Sequence, residues 1–232
     1  MKKRLTALLL AAALMFTFTG CRNSDGGSES ARHPLPQMNL PQDGDTVVLI
    51  ETSEGSISAV LYEDLAPKAC QNFIALADSG YYDGLLIHKA LADFVIQTGD
   101  PTLTGTGGEA ANGAGVQPEY VERLHHFTGA LGMACDENGV AQSQFYIVAG
   151  GAVSEEYVAA MQQAGYSADV IEAYGALGGQ PSLDYRYTVF GHVYEGLDIV
   201  KAISAVKTDD YNRPKKDIEV YSVTVSIYQQ GE

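Results

Sequence analysis

The sequence predicts a mainly β domain, an antiparallel sheet closed into a barrel or sandwich, with two principal helices and a short inserted helical pair. Three observations carry this expectation. Short β-branched and aromatic runs recur between glycine-rich breaks, only two segments outside the insertion read as core helices, and strands do not alternate with helices as in a doubly wound sheet. No internal repeat of fixed period is present.

The chain begins with Met1-Lys2-Lys3-Arg4 and an apolar run from Leu5 to Phe18 that ends in Thr19-Gly20-Cys21. A positive start, a short greasy stretch and small residues before a cysteine form an export signal over residues 1–21, too short and wrongly flanked for a membrane span. Cys21 is the expected lipidation site. Its lipid would anchor the mature protein at the outer face of the cell membrane without spanning it. Residues 22–44 are rich in Ser, Gly, Pro and Asp, a composition that buries too little surface to order itself, and a flexible tether is expected there.

The domain is expected from Asp45 to Glu232. "TVVLIETSEGSISAVLY", 46 to 62, reads as a hairpin turning at Ser53-Glu54-Gly55. "APKACQNFIALADSG" follows as a helix, with Pro67 at its start and Gly80 as its stop. Two strands are expected around Leu85 to Ala90 and Phe94 to Gln97. In the second, Val95 and Gln97 share a face, and Phe94 joins them only if the preceding turn bends locally.

Residues 102–117 form a glycine-rich loop that lacks the Gly-Lys-Ser/Thr ending of a phosphate cradle. "GALGMA" and "SQFYIVA" are further strands, and alternation puts Gln144 and Tyr146 on one face with Phe145 on the other. Ser154 and Ser167 can cap two short helices in an insertion over about 154–178, each with acidic residues in its first turn. "YTVFGHVY" reads as a strand and "LDIVKAIS" as the second core helix. The apolar phase in the last strand shifts between Val220 and Val223, which predicts a β-bulge.

Composition excludes several functions. With 14 Lys+Arg against 29 Asp+Glu and a net charge of -15, the chain lacks the positive surface that phosphate contact requires, so no nucleic-acid partner is expected. Beyond Cys21 the cysteines are Cys70 and Cys135, which share no spacing motif and read as free thiols. His88 and the His125-His126 pair have no partners at metal-ligand spacing, and no metal or cofactor is expected.

The motifs "GYYDGLLIHKALADFVIQTGDPTLTGTGG", "HFTGALGMA", "SQFYIV" and "LDYRYTVFGHVYEGLDIVKAI" resemble, in order and content, those of cyclophilin-type peptidyl-prolyl isomerases, over about Val47 to Ile227. The resemblance implies a closed eight-stranded antiparallel β-barrel capped by two helices, and an isomerase acting on Xaa-Pro bonds. It assigns the catalytic positions to Lys89, where the family has arginine, and Gln97. Substrate contacts fall on Phe94, Val95, Ala134, Cys135, Gln144, Tyr146, Leu183 and Tyr187. Taken singly, Phe94 and Val95 read as barrel core and Lys89 as a solvated charge. Their joint order gives the functional reading.

Lysine keeps the charge but loses the planar fork of donors that arginine offers, which lowers the expected turnover. Ser182 stands where cyclosporin-sensitive members have tryptophan, so weak binding of that drug is expected. The partners implied are Xaa-Pro segments of exported polypeptides, and a monomer is expected. A proline-peptide-binding chaperone or scaffold with little turnover is the alternative that Lys89 leaves open.

Overall fold

A computed structural model of the chain describes residues 34–231. The export signal and Cys21 lie outside the described residues. The domain holds eight strands in one antiparallel sheet: β1 (Thr46–Thr52), β2 (Gly55–Leu61), β3 (Lys89–Ala90), β4 (Val95–Thr98), β5 (Ala130–Cys135), β6 (Ala141–Val148), β7 (Val189–Glu195) and β8 (Val220–Ile227). Four α-helices accompany them: α1 (Pro67–Asp78), α2 (Glu155–Gln163), α3 (Ala168–Leu177) and α4 (Leu197–Ser204).

Strand order is β3-β4-β6-β5-β7-β2-β1-β8. The expected closed barrel is therefore corrected to an open, curled half-barrel with β3 and β8 at its edges. Closure fails because β3 is two residues long and pairs only as Lys89 with Gln97 and Ala90 with Ile96. The chain just before it, not a strand, faces the start of β8, through bonds such as Gly84 N to Val220 O at 2.8 Å and Ile87 N to Ile218 O at 2.9 Å.

The β1–β2 hairpin pairs from Val47 with Val60 to Thr52 with Gly55. Gly55 sits at φ 138°, which a side chain would resist, and its missing Cβ leaves room for Ile199 of α4. The predicted bulge is present: Glu51 pairs with Ser222 and Thr52 with Val220, so Tyr221 is the extra residue. Pro67 opens α1, whose first free N–H groups, on Lys68 and Ala69, donate to the Glu119 carboxylate at 3.2 and 3.0 Å.

The principal core lies inside the curl. Phe73 of α1 packs against Phe145 at 5.1 Å between ring centroids, Phe190 at 5.2 Å and Tyr82 at 5.3 Å. Val200 and Ile203 bring α4 into the same cluster. The insertion has a small core of its own, in which Met161, Val170, Ala173 and Tyr174 meet Phe127 and Leu35. Ser154 caps α2 by accepting from Tyr157 N, whereas the Ser167 side chain makes no such bond. Helix α3 runs through Gly175 and stops at Gly178, φ 75°.

Leu35 belongs to the expected tether, and its burial corrects that boundary. Gln37 is also buried, and its amide donates to His125 O at 2.7 Å and accepts from His125 N at 2.8 Å. Leu35 docks this polar segment against the core of the insertion, and Gln37 bonds it to His125.

Candidate active site

The side chains that the sequence singles out lie on the outer face of the half-barrel, across β3, β4, β6 and β5. Residues paired across a sheet share a face. Lys89 pairs with Gln97, Gln97 with Tyr146, and Tyr146 with Gly132, so a cation, an amide and an aromatic ring form one transverse row. Two residues along β4 and β6, Val95 pairs with Val148 and extends the same face. Asp93 adopts φ 55°, the local bend that lets Phe94 join Val95 in one cluster.

That outer cluster has a buried base of Val95, Tyr146, Val148, Val189, Ala130 and Leu124. Phe94, Ala134, Leu183 and Tyr187 are half-buried around it. Leu183 is carried by a single 3-10 turn, Pro181–Leu183, and the Tyr187 ring meets Tyr146 edge-on at 6.0 Å and 88°. Ser182 is exposed on the same turn.

Beside this apolar surface lies a polar cavity of about 500 Å³, lined by Gln97, Ala134, Cys135 and Gln144 together with the 105–107 and 136–138 loops. Gln97 donates to Gln144 Oε1 at 2.8 Å, and Gln144 donates to Gly107 O at 2.8 Å. The two amides are thereby oriented, and among the described residues the Gln97 side-chain Oε1 accepts no hydrogen bond. Asp100 organises the glycine loop by accepting from Thr102 N at 2.7 Å, Gly105 N at 2.6 Å and Gly107 N at 3.2 Å. These bonds hold its carboxyl below the usual carboxylate range against the effect of burial.

Among the described residues Lys89 forms no ion pair or side-chain hydrogen bond, and it is half-buried. Its neighbour His88 is buried with neither ring nitrogen paired, and burial lowers its pKa. Cys70 and Cys135 are free thiols. Burial pushes Cys70 up to about 12 and also raises Cys135, so neither is an activated nucleophile at neutral pH. Phe94, Val95, Ala134, Tyr146, Leu183 and Tyr187 belong to the outer cluster, Gln97, Ala134, Cys135 and Gln144 line the cavity beside it, Lys89 pairs with Gln97, and Cys135 also touches the edge of the inner core.

Residues 47–225 match the family described as cyclophilin type peptidyl-prolyl cis-trans isomerase/CLD. The chain belongs to that family. A putative peptidyl-prolyl cis-trans isomerase of Staphylococcus epidermidis is 36% identical over 191 residues, which cover 82% of this chain and 97% of that protein. Its counterpart in Staphylococcus aureus is 35% identical over the same coverage. The crystal structure of a Cryptosporidium parvum cyclophilin type isomerase, determined in the presence of the dipeptide Ala-Pro, shares the fold with a TM-score of 0.62 and 29% identity, covering 79% of this chain and 99% of that one.

Peptidyl-prolyl cis-trans isomerisation is therefore the activity of this cyclophilin, and proline-containing peptides are its ligands. Sequence reasoning missed the cluster of His125, His126, Asp184 and Tyr174 behind Tyr146. The signal available was a tyrosine at the aromatic position opposite a glycine, Gly132, in the strand beside it.

Proposed function

We propose that this cyclophilin catalyses isomerisation of Xaa-Pro bonds in exported polypeptides, with Lys89 as the electrophilic cation and the outer cluster as the prolyl site. The observation that carries this reading is the row Lys89–Gln97–Tyr146 on one sheet face, flanked by Phe94, Val95, Leu183 and Tyr187.

The planar imide resists rotation by about 18–20 kcal/mol, yet no covalent bond has to break. When the bond twists, conjugation is lost and the prolyl nitrogen regains a lone pair. A cationic donor aimed at that nitrogen binds the twisted state better than either planar isomer. Hydrogen bonds to a charged group contribute about 1.5–3 kcal/mol, roughly ten- to a hundredfold in rate. The rest falls to the apolar surface, which grips the proline ring while Gln97 and Gln144 hold the peptide backbone.

The membrane tether through Cys21 places this activity where exported chains fold. Replacing Cys21 with alanine should release the protein from the membrane fraction, and retention would remove the anchor from this reading.

A peptide isomerisation assay tests the chemistry. Lys89→Ala should lower kcat about ten- to a hundredfold while peptide binding persists, and Lys89→Arg should match or exceed the wild type, because the guanidinium offers a planar fork. A wild type that binds the peptide but turns it over no faster than Lys89→Ala would leave a proline-peptide-binding chaperone in place of the enzyme.

A further inference from the structure

Gripping a proline requires an aromatic ring at the base of the site, but it does not require a hydroxyl. Tyr146 has one, and it lies 2.8 Å from His126 Nε2. Room for it exists because a Cβ at Gly132 would collide with the end of the Tyr146 ring. The other ring nitrogen of His126 lies 2.8 Å from Asp184 Oδ1, which also accepts from His126 N at 2.8 Å. Asp184 Oδ2 faces His125 Nδ1 at 2.9 Å and accepts from the Tyr174 hydroxyl at 2.7 Å.

An ionised carboxylate only accepts, so both histidines present N–H at Nδ1. The uncharged His126 ring then offers its Nε2 lone pair, and the Tyr146 hydroxyl is the donor. The Asp184 and His126 side chains are each 1% exposed, so no water replaces a broken link. Asp184 immediately follows Leu183, and Tyr174 belongs to α3. One carboxylate thus ties the base of the site, its Leu183 wall and the inserted helix together.

We propose that His126, oriented by Asp184, is a positioning residue for prolyl-peptide binding: it accepts the Tyr146 hydroxyl and fixes the aromatic base of the site, with α3 buttressing the carboxylate through Tyr174. This rests on the outer cluster being the prolyl site. A ring pinned at its para position stays in the substrate-bound orientation when the site is empty, so the gain appears in affinity. Lys89 is untouched by the pinning, so kcat is not expected to change.

The test measures KM and kcat for a proline peptide on the full chain in the wild type, Tyr146→Phe, His126→Phe, the double variant and Phe94→Ala. His126→Phe should raise KM about two- to tenfold, the range of one neutral hydrogen bond, with kcat held. In the Tyr146→Phe background the same change should leave KM within about twofold, because the hydroxyl it acts through is gone. An equal KM increase in both backgrounds, or a fall in kcat at constant KM, overturns the proposal. An unchanged KM in Phe94→Ala overturns the underlying reading of the outer cluster instead, and the two failures are thus separate. Should His126→Phe not fold, the wild-type imidazole nitrogen resonances decide: a proton on Nδ1 with Nε2 bare supports the proposal, and the reverse tautomer overturns it.

Discussion

Strand β6 builds two cores from one backbone. Its inward residues Phe145 and Ile147 join the ring cluster of Phe73, Tyr82 and Phe190, where one buried hydroxyl, that of Tyr82, donates to Ser143 O at 3.1 Å. Its outward residues Tyr146 and Val148 join the outer cluster, where Tyr146 leads into buried histidines and a carboxylate. The inner face is specified by volume, and many apolar sets of the right size could fill it. The outer face is specified by donors and acceptors, and a member removed there leaves an unpaired partner. The proposed site sits on the face whose geometry is directional.

The two faces should respond differently to the same experiments. The largest effect is expected from Phe145→Ala, which should cost about 3–5 kcal/mol in chemical denaturation by leaving a cavity among the rings. That loss should be nearly independent of pH, since no titrating group in the inner cluster changes charge near neutrality. A strongly pH-dependent loss would break the distinction.

His192 sharpens it from the other side. It faces outward on β7 beneath Gln37, whose amide lies 3.3 Å from its Nδ1, and burial pushes its pKa from 6.5 down to about 4. The folded state thus favours neutral His192. That contribution is fully present above about pH 6.5 and is lost as the pH falls towards about 4, by up to about 1.4 kcal/mol per pH unit. In His192→Gln the slope of stability against pH across that window should flatten, as measured by urea unfolding at several pH values.

Gly132→Ala should cost about 1–3 kcal/mol by overpacking the Tyr146 ring, and it should raise the peptide KM as well. An inner-face change of equal thermodynamic cost should leave KM alone. The smallest effect is expected from Glu119→Gln, which keeps acceptors at the start of α1 but removes the charge. It should lower stability by about 0.3–1 kcal/mol, visible as a small loss of midpoint temperature that salt diminishes.

The alternation that put Phe145 inside and Tyr146 outside, the bulge at Tyr221, the hairpin and the start of α1 at Pro67 follow from local periodicity and turn chemistry, which a sequence displays directly, whereas α3 runs past Gly175 to Leu177. The convergence of Lys89, Phe94, Val95, Gln97, Gln144 and Tyr146 was legible because those residues fall in short runs of a recognisable family order. Cys21 and the signal rest on composition alone.

Three features required the folded chain. Closure of the barrel depends on how long an edge pairing survives, and the two residues of β3 show it does not survive far. The docking of Leu35 and Gln37 depends on a slot lined by residues about 90 or more positions away, invisible to any local composition. The link from Tyr174 through Asp184 and His126 to Tyr146 joins a helix, a turn, a loop and a strand. Periodicity determines which way a side chain points from its own backbone. Only the tertiary fold decides which distant group it meets, because hydrogen-bond partners are set by distances in space that sequence separation does not encode.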